Sequence, residues 1–213
     1  MMADKASDSS KSTDADNPVI PKSSGGKPMG MLPKVLLAVF GLLAAVVVVF
    51  LIVVAVQPSQ YRVERSTTID APPEEVFAHV NDFHQWEAWS PWAERDPNAV
   101  AIYEGPDAGE GAIFKWSGND DVGEGSMTIT ESKPHERIGI DLAFVRPMED
   151  ACDVEFIFEP QGDGTKVNWA MFGENNFVGK AFCLFMDMDA MVGKDFEQGL
   201  ASMKKAVEGE AGK

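Results

Sequence analysis

The sequence predicts an α+β domain, a bent antiparallel sheet of about seven strands packed on one long C-terminal helix, preceded by one transmembrane helix. Three observations predict it. The run Val35–Val56 is apolar without interruption. Short alternating segments then follow one another at hairpin spacing. The chain closes on a single long helical stretch, and this segregation of strands from helices is the mark of an α+β architecture.

The apolar run comes first. A helix of this length covers about 33 Å, enough for the hydrocarbon of a bilayer. Its many β-branched residues weaken a helix in water, but in lipid every unpaired backbone group is costly, so a spanning segment is driven helical. A cleaved signal peptide is the competing reading, with Val53-Val54-Ala55 as a small-residue site. Signal cores are shorter and lie nearer the N-terminus, which favours an uncleaved anchor. Lys22, Lys27 and Lys34 precede the run, and Arg62 and Arg65 follow it. The positive-inside rule therefore orients the N-terminus to the cytoplasm and exports the C-terminal domain.

Residues 1–34 are rich in Ser, Asp, Lys, Gly and Pro, too polar to fold alone, and are expected to be disordered. The chain has 34 acidic and 18 basic side chains and a net charge of −16. The tail is close to neutral, so the negative charge lies beyond the apolar run. An acidic domain repels phosphate backbones and anionic headgroups, which excludes nucleic acid as a partner.

After a linker, 57–60, the segment Tyr61–Ile69 alternates and reads as a first strand. Asp70-Ala71-Pro72-Pro73-Glu74-Glu75 reads as a helix start, with Asp70 as cap and Val76, Phe77 and Val80 as the apolar stripe. An aromatic stretch from Phe83 to Trp92 ends at Ser90-Pro91, which breaks any helix. Six strands follow, at about 99–103, 112–117, 126–132, 137–144, 152–159 and 166–172. Gly162-Asp163-Gly164 marks a tight turn between the last two. The final helix is expected over about 177–207, with a possible break near Gly193, and 209–213 as a disordered end.

One face of each strand carries large residues: Phe114 and Trp116; Ile138, Ile140, Leu142 and Phe144; Cys152, Val154, Phe156 and Phe158; Val167, Trp169 and Met171. Asp153, Glu155, Lys166 and Asn168 alternate with them and are expected to face water. Such a sheet, closed by a helix, either packs solid or encloses an apolar cavity. Phe182, Cys183, Phe185, Met186 and Met191 are expected on the inner face of the helix, where methionine suits an adaptable wall. The two cysteines, Cys152 and Cys183, lack the C-x-x-C spacing and read as two buried small apolar residues rather than a disulfide.

The strand followed by Ala71-Pro72-Pro73-Glu74-Glu75-Val76-Phe77, then Asp82-Phe83 and Trp86-Glu87-Ala88-Trp89-Ser90-Pro91-Trp92, resembles the opening of the polyketide cyclase/dehydrase-like group of the SRPBCC (START-like) superfamily. The hairpin from Pro160 to Trp169 and the C-terminal segment from Phe185 to Leu200 are similar to it too. The resemblance covers 61–208 and implies a helix-grip (START/Bet v-like) fold with a hydrophobic cavity. It implies binding of lipids, polyketides, sterols or similar apolar molecules, and no single reaction.

The candidate cavity-lining residues are Trp89, Trp92, Phe114, Trp116, Phe144, Phe156, Trp169, Met171, Phe185 and Met188. Trp86, Trp89 and Trp92 each need a partner for the indole N–H. They sit either at a cavity entrance or in the packing between small helices and sheet. Of His79, His84 and His135, His84 lies beside the aromatic cluster, though a surface or capping role suits it better. The sequence contains no G-x-S-x-G elbow, HExxH, phosphate loop or dinucleotide fingerprint. Met186-Asp187-Met188-Asp189-Ala190-Met191 has donors for a soft metal, but reads better as helix wall. No cofactor and no metal is expected.

The leading expectation is a non-catalytic domain that binds a hydrophobic small molecule or lipid and is tethered to the membrane, where such ligands reside. A cyclase or hydrolase using the same cavity, and a structural or partner-binding domain with a filled core, are the alternatives.

Overall fold

In the computed structural model, which describes residues 30–211, the apolar run forms helix α1, Met31–Ala55. It starts before Val35, so Met31-Leu32-Pro33-Lys34 join the helix rather than the tail. Residues 1–29 lie outside the described part, as do 212–213 of the expected disordered end. The helix is long and apolar enough to cross a membrane. The chain divides into two units, one up to Val47 and one from Val48 onward.

The second unit is built on seven antiparallel strands. They are β1 (Gln60–Ile69), β2 (Val100–Glu104), β3 (Ile113–Ser117), β4 (Glu124–Lys133), β5 (Arg137–Arg146), β6 (Asp150–Gln161) and β7 (Gly164–Glu174). The order across the sheet is β1-β7-β6-β5-β4-β3-β2. Strands β2 to β7 are a meander of consecutive neighbours, and β1 pairs with β7, Tyr61 opposite Gly173 and Ile69 opposite Thr165. All six expected strands of the block are present, β4 to β7 longer than their side-chain alternation indicates. Their ends continue the backbone ladder past the last alternating apolar residue. Gly162, at φ 63°, makes the two-residue turn between β6 and β7. Register shifts between Glu124 and Gly125 and between Ile129 and Glu131 disrupt the β4–β5 ladder, and such bulges add bend and twist to a sheet.

Helix α2, Pro73–Asn81, follows β1. Its N-cap is Pro72, with no side-chain cap. Asp70 is not the cap, since two prolines set the start of the helix and carry no donors to be capped. The Asp70 amide instead donates to the Glu208 carboxylate, at 2.9 Å. A short 3-10 helix, Phe83–Ala88, comes next.

The C-terminal helix is in two pieces, α3 (Phe177–Cys183) and α4 (Met188–Ala211). The break falls at Leu184–Asp187. It does not fall at Gly193, which is buried within α4 because the Arg65 guanidinium of β1 occupies the space a side chain there would need. Phe196, Leu200, Met203 and Val207 form one buried stripe of α4, at the spacing of a single helix face. That stripe meets the concave face of the sheet, with Val76, Phe77 and Val80 of α2 and Phe83 of the 3-10 helix in the same core. The convex face carries charge-paired neighbours, among them Arg137 with Glu131 and Glu155, and Lys166 with Glu159.

The wall expected from Phe182, Cys183, Phe185, Met186 and Met191 is not formed. All five are exposed, Phe185 at 79 %. They belong to α3, to the turn after it and to the first turn of α4, which precede the stripe that reaches the sheet. The two cysteines are free, Cys152 buried and Cys183 exposed.

Candidate functional site

The concave face is a grid of cross-strand rows, because antiparallel neighbours place alternate side chains on the same side. One row joins Arg65, Trp169, Phe156 and Ile138 across β1, β7, β6 and β5. The next joins Val63, Met171, Val154, Ile140 and Ile129. A third runs from Cys152 through Leu142 and Met127 to Phe114 and Tyr103, and a fourth through Phe144, Gly125 and Trp116 to Ala101. The last two rows lie toward the end of the sheet at which β1 starts and β7 finishes.

The first row is filled solid. Phe196 of α4 stacks on Trp169 with centroids 4.0 Å apart, and Phe156 stacks on its other neighbour position at 5.0 Å. Trp89 meets both Phe156 and Trp169 edge-on, at 6.2 and 5.6 Å, and Trp92 meets Trp169 at 5.9 Å. Trp89 and Trp169 are each 2 % exposed. Edge-to-face and offset pairs of this kind add about 0.5–1.5 kcal/mol each beyond area burial.

The indoles of the aromatic cluster have specific work. A helix leaves its last carbonyls without intrahelical donors. Trp86 Nε1 donates to the Val80 carbonyl at 3.0 Å, and Trp89 Nε1 to the His79 carbonyl at 3.1 Å, both in the last turn of α2. The Trp169 Nε1, although buried, has no hydrogen-bond partner among the described residues. His79 is buried on α2.

The third and fourth rows form a shelf that nothing covers completely. Phe114 and Trp116 stack at 5.9 Å, and Phe144 meets Trp116 edge-on at 6.0 Å. Phe114, Trp116, Leu142, Phe144, Trp92 and Val192 are all half-buried against the core. Gly125 allows this arrangement: a side chain there would collide with the Trp116 ring, 2.6 Å from an added Cβ. The Trp116 ring is fixed at its edge, where Nε1 donates to the Val122 carbonyl at 2.9 Å.

The ten candidate residues therefore fall into groups. Trp89, Phe156 and Trp169 are packed core, and Met171 is buried in the neighbouring row. Phe114, Trp116 and Phe144 are grouped on the shelf, whereas half-buried Trp92 packs against Trp169 of the filled row. Met188 is half-buried at the start of α4, and Phe185 stands apart, exposed. The candidate residues did not include Leu142, although the sequence placed it on the inward face, nor Met127, its neighbour across the row. Leu142 was legible from its alternation with Phe144, whereas Met127 reaches the row through its pairing with Leu142 and Phe114.

Polar groups near this end are held in protonated form. Burial, with Cys152 beside it, raises the Tyr61 phenol well above its usual range. The Cys152 thiol is pushed up to about 11, chiefly by burial. Elsewhere, His84 Nδ1 lies 2.7 Å from Asp82 Oδ1, and its ring stacks on Tyr103 at 4.1 Å. His84 and Tyr103 border a surface cavity of about 180 Å³, with Phe83, Glu104 and Pro106. A second cavity, about 640 Å³, lies beside α2, lined by Glu75, His79, Asp82 and Val207. Neither is bordered by the candidate residues.

The curved sheet gripping α4 over an apolar face defines a helix-grip domain of SRPBCC type, a class that typically binds hydrophobic ligands. Within that class, the chain belongs to the polyketide cyclase/dehydrase and lipid transport family, which matches it over residues 60–208. No curated protein matches it. Its fold is similar to that of the Aha1 dimer from Colwellia psychrerythraea, at 18 % identity and TM-score 0.51, over 70 % of this chain and 96 % of that one. It is similar to a protein from Rhizobium leguminosarum, at 14 % identity and TM-score 0.53, over 71 % and 97 %. A protein from Chromobacterium violaceum is also similar, at 17 % identity and TM-score 0.50, over 71 % and 99 %. At these identities the likeness concerns the fold.

Proposed function

We propose that the chain is a membrane-anchored binding domain for a hydrophobic small molecule or lipid, without catalytic activity. The domain lies on the exported side, and α1 is its anchor. The observation that carries this reading is the half-buried aromatic shelf of Phe114, Trp116, Leu142 and Phe144. Apolar surface held partly open on a rigid sheet is stabilised by an apolar ligand, at about 25 cal/mol per Å² removed from water. The shelf side chains recognise shape rather than move protons, and the neighbouring Tyr61 and Cys152 stay protonated at neutral pH.

The test uses the full chain, purified from its native membrane into nanodiscs and analysed by mass spectrometry for retained apolar molecules. A fluorescent fatty acid is titrated in parallel. Trp116→Ala is expected to weaken probe binding about tenfold or more, since a ring of this size contributes over 1.4 kcal/mol when buried. Equal binding by the wild type and this variant overturns the assignment of the shelf.

A second reading has its own observation. The Trp89, Phe156, Trp169 and Phe196 stack fills the centre of the grip. A domain filled in this way presents its surface to a partner rather than its interior to a ligand. Retention of no apolar molecule and no probe binding favours this second reading.

A further inference from the structure

We infer that α3 and the turn after it are a membrane-docking element that inserts its apolar side chains into the headgroup–acyl boundary of a bilayer. This inference rests on the reading of α1 as an anchor. Helix α3 buries none of its residues. Phe177, Val178, Phe182, Phe185 and Met186 are exposed, Val178 at 61 % and Phe182 at 48 %. Val178 and Phe182 lie four residues apart on one face of α3, and Phe185 and Met186 follow in the turn after it. The segment is nonetheless ordered: Asn176 Oδ1 caps the Gly179 amide at 2.9 Å, and the turn continues with Met186 N–H donating to the Phe182 carbonyl at 3.1 Å.

The occupant follows from three things. Contiguous exposed apolar side chains mark an interaction surface. The Phe185 ring lies 6.3 Å from the Phe50 ring, in the part of α1 that belongs to the same unit, so the patch adjoins the apolar side chains of that end of the helix. Between Phe177 and Met186 the only charged side chain is Lys180, in a chain of net charge −16. An acidic domain gains nothing from anionic headgroups, so contact must be apolar, through aromatic and methionine side chains at the interface. The shelf lies at the same end of the sheet, since β7 leads from the Tyr61–Gly173 row directly into α3. Docking thus holds the open rows of the shelf toward the lipid phase, from which an apolar ligand reaches them without crossing water.

The full chain is reconstituted in phosphatidylcholine nanodiscs at one chain per disc, with a nitroxide on the native Cys183. That thiol is exposed, whereas Cys152 is buried and stays protonated, so labelling is selective. The expected result is a label several-fold more accessible to oxygen than to a water-soluble nickel complex. Phe182→Ser with Phe185→Ser is expected to reverse that ratio while the chain stays in the disc. A water-accessible wild-type label on a retained chain overturns the docking alone. Spin–spin broadening at two chains per disc, with the nickel complex still admitted, assigns the face to a second copy and also overturns it. Loss of the chain from the discs overturns the anchor reading and this inference together.

Discussion

At the scale of the residue, a side chain's role depends on which neighbours its backbone position gives it. Trp86 and Trp89 were legible as costly to expose, yet not as donors to the last turn of α2, because that depends on the chain reversing at Asp82. Trp169→Ala is expected to cost about 3–5 kcal/mol, read as a lowered denaturation midpoint, because it removes the ring on which Phe156, Phe196, Trp89 and Trp92 pack. Gly125→Ala meets both the Trp116 ring and the Ala143 carbonyl. It is expected to destabilise the domain by about 1–3 kcal/mol and to blue- or red-shift the tryptophan emission as Trp116 is displaced. The thiols separate cleanly as well. In the folded chain at neutral pH only Cys183 is expected to react with a disulfide reagent, and Cys152 joins it after denaturation.

At the scale of the element, the decisive fixture is the attachment of α4 to β1. Arg65 Nη1 and Nη2 donate to the Asp189 carboxylate at 3.0 Å, Nε donates to Glu197 at 2.9 Å, and Nη2 also reaches the Asp189 carbonyl. Gly193 leaves room for this fork. Gly193→Val is expected to eject the guanidinium and to raise amide exchange over residues 188–195, while exchange at the 196–207 stripe changes little. Strand existence was legible throughout the block, since alternation reports a face directly. The break in the final helix was not. Gly193 has low helix propensity, but propensity is overridden where a tertiary neighbour needs the space. Phe182, Cys183, Phe185, Met186 and Met191 read as core wall for a related reason. Composition reports that a side chain is apolar and not whether protein or lipid covers it, so Phe185 joined the cavity candidates although the structure leaves it exposed. The shelf itself was half legible: Phe114, Trp116 and Phe144 announce an apolar face, but that it stays half-buried depends on tertiary packing, which alternation does not report.

At the scale of the whole molecule, stability is tied to pH through carboxylates on the surface. Glu64 is held below its ordinary value by the Asn168 amide and Arg62, Glu131 by Lys133, Asp189 by Arg65 and Glu208 by Lys204. The folded chain therefore binds fewer protons than the unfolded one as these groups titrate. Their contribution is complete above the ordinary values of 4.5 for Glu and 3.8 for Asp, and is lost as pH falls through the lower folded ones. Thermal midpoints are expected to change little from about pH 7 to 5 and to fall below about pH 4.5, less steeply in high salt because these pairs are exposed. A midpoint that holds down to about pH 3 would show the pairs to be inconsequential. The pairing of β1 with β7 has a different consequence, in time rather than in energy. Synthesis runs from the N-terminus, so β1 leaves the ribosome roughly a hundred residues ahead of its only strand partner, a wait of about 5–20 s at ordinary elongation rates. During that interval the strands β2–β6 can assemble hairpin by hairpin, while β1 stays an orphan with both edges bare. Its convex-facing Arg62, Glu64, Ser66 and Thr68 make it a poor template for the nascent chains of neighbouring ribosomes, so the last stitch of the sheet keeps for the strand that is made last.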